Sequence, residues 1–416
     1  MPVLAAAVAE SLVRDVSQDL APGPAAARER VARVAWSCLA EPGDGVAGAV
    51  IETVGAERSL DVVARGGTAA DLLAAAEGEG TRPSLADVGV GLERWRPRLQ
   101  NGAVERAFRQ GARFAARLVV PGDPCWPEGL DDLGPHRPVV LWVRGRVELL
   151  GGLGRSIALI GARAATGYGE HVAVEASAGL VDRGVAIVSG AAYGIDGAAH
   201  RAALASGGDT VAVLAGGLDR FYPSGHEGLL TRIVERGAVV AEVPCGTAPT
   251  RWRFLQRNRI IAAASAATVV VEAGWRSGSL NTAGHAAALG RPLGAVPGPV
   301  TSSASAGCHR LLREYGAVCV TTPDEMAELV PGLVAVDAGD ADGRDRLRPT
   351  RDPEGTRVRV LDALSARSAR TVDRIAADSG LPPERVRAEL GVLELEGRAR
   401  TGFEGWTKVL HGRGGG

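Results

Sequence analysis

Four arginines and two aromatic rings interleave in the stretch Arg251-Trp252-Arg253-Phe254-Leu255-Gln256-Arg257-Asn258-Arg259. Guanidinium groups hold phosphates, and rings and guanidinium planes stack on unpaired bases, so the pattern suits a nucleic-acid strand. From Arg251 to Arg313 the chain carries eight arginines and one acidic residue, Glu272, although its net charge is −1. Ser277-Gly278-Ser279, a second phosphate-friendly element, falls in the same segment just after an apolar strand. The competing reading is a solvated basic helix face, and the elements around the cluster decide between the two.

Composition narrows the chemistry. Lys408 is the only lysine among 47 basic residues. A Walker-type phosphate loop or a Schiff-base enzyme needs a central lysine, so both are excluded. The five cysteines, at 38, 125, 245, 308 and 319, contain no Cys-x-x-Cys pair. That spacing fits neither a disulfide framework nor a zinc site and points to a reducing cytoplasm. No apolar stretch approaches the ~18 residues that span a bilayer. The amino-terminal apolar run lacks a basic flank and is broken by Glu10, unlike a signal peptide.

At roughly 150 residues per domain, the chain has room for two to four domains. Residues 1–115 read as a helical region, with Gly89-Val90-Gly91-Leu92 resembling a helix-hairpin-helix turn. Residues 116–333 hold a lead-in followed by strand–helix alternation, with β-rich runs at 156–160, 185–189, 210–214, 238–242, 268–272 and 292–296. Near-continuous apolar strands joined by helices predict an α/β fold, a parallel sheet covered on both faces. Residues 334–355 are charged, aperiodic and rich in Gly and Pro, as a linker is. Residues 356–416 read as short helices and a hairpin in a winged-helix pattern, with Val386, Leu390 and Leu393 at helical spacing and a wing from Arg398 to Leu410.

Open parallel sheets bind ligands at the carboxyl ends of their strands. Those ends read Gly161-Ala162-Arg163, Ser189-Gly190-Ala191, Ala215-Gly216-Gly217, Glu272-Ala273 and Pro297-Gly298. Small residues there let a polyanion approach backbone N–H groups and helix N-termini. The first loop is Gly161-x5-Gly167-x-Gly169 rather than Gly-x-Gly-x-x-Gly, and the second strand ends in Ser189-Gly190 rather than an acid. A nicotinamide or flavin dinucleotide is therefore disfavoured, and no cofactor or metal is expected.

The order of motifs is itself distinctive. Gly161-Ala162-Arg163, Ser189-Gly190-Ala191-Ala192-Tyr193-Gly194-Ile195-Asp196 and Gly216-Gly217-Leu218-Asp219 are followed by Phe254, Arg257-Asn258-Arg259 and Glu272-Ala273. Ser277-Gly278-Ser279-Leu280, Gly290-Arg291 and Pro297-Gly298 complete the series. Over about 120–330 this resembles the DNA-processing protein A family, also called DprA or Smf. The resemblance implies an extended Rossmann-like sheet, a helical N-terminal domain and a C-terminal winged helix. It further implies a non-enzymatic homodimer that binds single-stranded DNA without strong sequence preference. Such proteins protect incoming strands during natural transformation and help load a RecA-type recombinase. Carried onto this chain, Arg163 grips phosphate and Phe254 stacks on a base. Ser189, Gly190, Gly216, Ser277, Gly278 and Ser279 line the pocket, with Arg251 and Arg257 as further cations. The chain departs from the family at Ala162 (usually serine), Leu255 (proline), His226 (asparagine) and Ala241 (serine before the glutamate).

Three features invite other readings. Asp196 and His200 stand four residues apart, as a metal pair or acid–base pair does, or as a helix cap with a packed histidine; the structural reading is favoured. Glu272 either serves a Rossmann-like nucleotide hydrolase or sensor, or orients Arg257 or Arg259 through a charge-assisted bond; the second is favoured. The candidate recognition helix of the winged module carries Glu384, Arg385, Arg387, Glu389 and Glu394, a mixed face. Glu394 and Glu396 would repel a phosphate backbone, so protein contact or auxiliary DNA contact through Arg398, Arg400 and Lys408 is favoured over base reading.

Overall fold

The expected strands form, and each alternates its side chains between two helical layers. The computed structural model describes residues 6–17, 23–78, 80–333, 353–366, 368–402 and 405–409. These divide into two units, 1–338 and 339–416.

In the first unit, seven helices precede the sheet: α1 (Ala6–Arg14), α2 (Pro24–Leu39), α3 (Gly45–Val54), α4 (Ala56–Ala64), α5 (Ala69–Ala74), α6 (Leu85–Trp95) and α7 (Ala103–Arg113). Their starts follow from local chemistry. Asp44 accepts from the Val46 and Ala47 amides, Thr68 and Asp71 make a reciprocal capping box, and Ser84 accepts from Asp87 N. The hairpin turn expected at Gly89-Val90-Gly91-Leu92 does not exist, because all four residues lie inside α6. The Ser84 cap and the buried stripe Val88–Leu92–Trp95 carry the helix through both glycines. Trp95 meets Trp36 edge-on at 5.0 Å, which anchors the helical core.

The sheet follows: β1 (Arg117–Val119), β2 (Leu141–Gly145), β3 (Ser156–Gly161), β4 (Ala186–Ser189), β5 (Thr210–Leu214), β6 (Ala238–Ala241), β7 (Ala267–Glu272), β8 (Leu293–Ala295) and β9 (Val318–Cys319). Their spatial order is β1-β2-β6-β5-β4-β3-β7-β8-β9. All pairings from β6 to β9 are parallel, whereas β1–β2 and β2–β6 are antiparallel. The lead-in is therefore part of the sheet, extending one edge. Helices α8 (Gly167–Asp182), α9 (Ile195–Ala205), α10 (Glu227–Arg236), α11 (Arg251–Ala264), α12 (Ser279–Ala288), α13 (Ala306–Glu314) and α14 (Pro323–Ala327) cover it. Ala158, Ile160, Val213 and Val270 pack with Ile261 and Ala283, while Ile157, Leu159, Val269 and Val271 pack with Ala176 and Ala199. Period-two alternation thus serves a layer on each face.

Two buried polar contacts pin helices to strands. Arg259 of α11 makes a two-pronged ion pair with Glu242, just past β6, at 2.9 and 2.7 Å. The expectation that Arg257 or Arg259 pairs with Glu272 is thereby overturned; the register of α11 on the sheet brings Arg259 to the end of β6 instead. On the other side, His200 Nδ1 lies 2.7 Å from the Thr210 hydroxyl, which itself donates to the Ile187 carbonyl. The Thr210 proton is thus committed, so His200 Nδ1–H is the donor. Burial drives the His200 pKa down to about 3, helped by the charges of Arg257 and Arg201. This histidine is neutral and bound within the fold.

The second unit contains α15 (Pro353–Ala363), α16 (Val372–Ser379), α17 (Pro383–Leu395) and the antiparallel hairpin β10 (Ala399–Gly402) and β11 (Gly405–Lys408). Val386, Leu390 and Leu393 join Val360, Leu361 and Ile375 in its core. Of the expected linker, 353–355 belong to α15 and 334–352 lie outside the described residues, as do Leu410 and the residues after it. The acids held to repel phosphate are tied up internally. Glu396 pairs with Arg357 at 2.9 Å, and Glu394 accepts from Thr401 N at 3.2 Å.

Arg259→Ala leaves the part-buried Glu242 without its cation and lowers the stability of the first unit by about 3 kcal/mol, read as a reduced urea midpoint. An unchanged midpoint refutes the pairing. For His200, the folded pKa lies below the unfolded value, so its contribution is complete above about pH 6.5 and is lost as pH falls toward 3. Up to about 1.4 kcal/mol disappears per pH unit. His200→Gln, which does not titrate, flattens that part of the stability–pH curve relative to wild type.

Candidate nucleic-acid interface

The carboxyl ends of β3, β4 and β7 open into a cavity of about 500 Å³. Its wall holds Arg163, Phe254, Arg257, Ser277, Gly278 and Ser279, six of the ten expected site residues. Three local devices supply them.

Arg163 stands in the loop after β3, and Glu272 at the end of β7 clamps that loop. The Glu272 carbonyl accepts from Ala162 N at 2.7 Å, and its carboxylate accepts from Thr166 N at 2.8 Å and the Thr166 hydroxyl at 2.7 Å. Thr166 in turn caps α8 by accepting from Gly169 N. Glu272 is 2% exposed, with both oxygens engaged, and does not line the cavity. Its partner is the Arg163 loop rather than either arginine of α11.

Phe254 and Arg257 are presented by α11, whose first turn is capped by Thr250 accepting from Arg253 N. The Arg163 guanidinium lies over the Phe254 ring at 5.0 Å, Arg257 approaches the same ring at 5.9 Å, and Tyr222 tilts against it at 5.5 Å. Arg163 makes no ion pair among the described residues and is exposed. Arg257 is buried and donates to the Val213 carbonyl at 2.6 Å, leaving its Nε without a partner. Burial lowers the Arg257 pKa to about 10, with the Arg163 charge adding to the shift and Asp196 opposing it. Even so, the group is a full cation at neutral pH.

Asp196 is the counter-charge. It accepts from Gly190 N at 3.2 Å and Ala192 N at 3.3 Å, and burial raises its pKa against the pull of Arg257. It therefore braces the turn after β4 within the field of Arg257, as the favoured structural reading expects.

The other cavity wall begins α12. The Ser277 and Ser279 hydroxyls lie 2.7 Å apart, and Asn258 donates toward Asn281 at 3.1 Å, joining α11 to this wall. With α12 starting at Ser279, its positive dipole end is at the cavity.

Four expected residues stand outside the lining. Ser189 is fully buried and donates to the Leu159 carbonyl at 2.8 Å, fastening β4 to β3. Gly190 is a seat: a Cβ there would overlap the Arg257 guanidinium. Gly216 is held against Pro249, and the next amide, Gly217 N, donates to the Thr247 carbonyl at 2.9 Å, so this turn packs the approach to α11. Arg251 is exposed at the first position of α11, beyond the cavity. Ser189, Gly190 and Gly216 thus lie outside the lining of this cavity. Sequence reasoning left Asn258, Asp196, Arg276 and Thr282 out of the lining. Asn258 and Arg276 adjoin expected residues in the motifs, which was the available signal.

Comparisons with known proteins agree with this architecture. Residues 117–331 match the family model described as DNA recombination-mediator protein A, and residues 344–402 match the DprA winged helix domain. A putative DNA processing protein DprA of Mycobacterium tuberculosis is 44% identical over 394 residues, covering 91% of this chain and 95% of that protein. DNA processing protein DprA of Streptococcus pneumoniae is 38% identical over 206 residues, covering 50% of this chain and 72% of that protein. The X-ray structure of DprA from Streptococcus pneumoniae superposes with a TM-score of 0.55 at 30% identity, covering 69% of this chain and 94% of that one. With its central fold, its terminal module and nearly its whole length matched in this way, the chain belongs to the DNA-processing protein A (DprA/Smf) family.

Proposed function

We propose that this protein binds single-stranded DNA, without reading its sequence, at the cavity between Arg163 and Ser277-Gly278-Ser279. The observation that carries this reading is the exposed Arg163 guanidinium, free of any ion pair among the described residues and stacked at 5.0 Å on Phe254. A cation and a ring side by side match a phosphate and its base. Beneath them, Arg257 holds a positive charge that burial prevents from swinging away, and Arg276 adds another at the rim. None of these groups requires a particular base edge, which favours sequence-independent binding.

In this reading the protein acts without catalysis, as a homodimer that protects incoming strands and hands them to a RecA-type recombinase. Family membership supports that role, since the family is named for DNA processing and recombination mediation. We assign the binding function to residues 116–333, with 1–115 and 356–416 as accessory domains flanking it and 334–355 as the linker. Ser189, Gly190 and Gly216 contribute by positioning, and Arg251 by long-range charge at the cavity approach. Among the described residues no helix is long and apolar enough to cross a membrane. The nucleotide-hydrolase alternative loses ground because Glu272 has both carboxylate oxygens engaged by Thr166.

Filter binding of single-stranded and duplex DNA at two salt concentrations tests the reading. Single strands bind more tightly, with a log–log salt slope of about −0.7 per neutralised phosphate. Arg163→Ala weakens binding and flattens the slope, and Phe254→Ala costs roughly 1–3 kcal/mol. Equal affinity for duplex, or no salt dependence, sinks the proposal. Incubation with nucleoside monophosphates yields no free base; base release that disappears in Glu272→Gln would establish the hydrolase instead.

A further inference from the structure

The turn between β7 and α12 carries a tryptophan that the cavity does not use. Gly274 and Arg276 both line the cavity, whereas Trp275, between them, points elsewhere and is 59% exposed. An indole left this open on a rigid turn forfeits the stabilisation that burial would give it. Arg310 of α13 packs against it. The Arg310 guanidinium lies over the Trp275 ring at 5.3 Å and over the Tyr315 ring at 5.7 Å, and it donates to Glu314 at 2.6 Å. The ring is thus braced on one side by a cation whose own direction is set by a carboxylate and a second ring.

The charges nearby favour a polyanion. Arg276 and Arg313 are exposed and make no ion pair among the described residues, while Glu314, the carboxylate beside them, is committed to Arg310. Arg313 stands one helical turn along α13 from Arg310. A strand leaving the cavity past Arg276 therefore meets the Trp275 ring next, with cations on either side of it.

We propose that Trp275, braced by Arg310, is a second base-stacking platform, which takes a nucleobase of the same single strand beside the cavity wall at Arg276. This inference rests on the reading of the Arg163 cavity as a single-strand site and extends its footprint to α13. It assigns Arg310 as a positioning residue: the guanidinium immobilises the indole, so the base meets a surface already ordered and little entropy is lost on stacking.

The test uses the full chain and fluorescence anisotropy with labelled oligothymidylates of increasing length, and sedimentation on the same samples. Wild type, Trp275→Ala, Trp275→Phe and Arg163→Ala are compared. Trp275→Ala weakens binding of long strands by about tenfold, as expected for the loss of one stacked base. It leaves unchanged the shortest oligonucleotides, which fill only the Arg163 cavity, and Trp275→Phe restores most of the long-strand affinity. If Trp275→Ala matches wild type at every length while Arg163→Ala is weak, the platform is refuted and the cavity reading stands. If the wild type itself fails to bind single strands, both fall. A uniform loss at all lengths with a change in sedimentation assigns the Trp275 patch to a protein interface and overturns the proposal.

Discussion

A guanidinium buried beneath the edge of a parallel sheet is the constraint around which the interface is arranged. Removing a cation from water costs several kcal/mol unless opposite charge and hydrogen bonds replace the lost solvent. Arg257 receives one carbonyl, Val213, and one facing carboxylate, Asp196, while its Nε is left unmatched. Much else follows from that position. A side chain at residue 190 would displace the guanidinium, so glycine there leaves Arg257 its seat. Asp196 must be held, and the Gly190 and Ala192 amides hold it. The residue between them, Ala191, takes a left-handed φ of 53°, a conformation a non-glycine residue keeps only where its surroundings impose it. The half-compensated cation is a standing attraction for an anion at the cavity floor.

The arginine-rich segment divides into two kinds of residue that composition does not separate. Arg253, Arg259, Arg291 and Arg310 are each committed to a carboxylate: Glu41, Glu242, Asp132 and Glu314. The first three join separate segments of the chain, whereas Arg310 and Glu314 pair within α13. Arg251, Arg276 and Arg313 make no ion pair among the described residues, and Arg257 is the buried fourth member outside those pairs. A segment that looks like one basic stripe is thus half internal fastening. Of the remainder, Arg257 and Arg276 line the cavity, while Arg251 and Arg313 stand outside its lining.

How much of this was legible follows from the range of the interactions. Six of the seven parallel strands were readable because each is a short apolar run buried on both faces, and their glycine-rich ends marked the edge where the cavity opens; the seventh, β9, is a two-residue exposed strand. Arg163, Phe254, Arg257 and Ser277-Gly278-Ser279 were readable because strand-end position and motif order both point to that edge. Partner choice was not readable. Arg259 meets Glu242, and Glu272 meets Thr166, because of how α11 and the β3 loop register on the sheet, a tertiary fact absent from local spacing. Ser189 and Gly216 lie outside the lining for a related reason: a small residue at a strand end serves packing as readily as a ligand. The strands β1 and β2 were hidden by their brevity and by the prolines between them. In α6 the glycines of the supposed hairpin were overridden by a cap and a buried stripe.

The presentation of Phe254 shows what the structural arginines contribute to binding. Residue 253 is tied outward to Glu41, whose Oε1 also accepts from Arg98 at 2.6 Å, so one carboxylate joins α11 to the helical region before the sheet. Residue 259, less than two turns later, is tied to Glu242 at the end of β6. Phe254 lies between these anchors, with Arg163 against its face and Tyr222 at its edge. A ring held this way has little freedom to lose when a base stacks on it, and an ordered surface keeps more of its contact energy as affinity. The helical region is thereby linked to the candidate interface: through Glu41 it fixes the first turn of α11, the helix that carries Phe254.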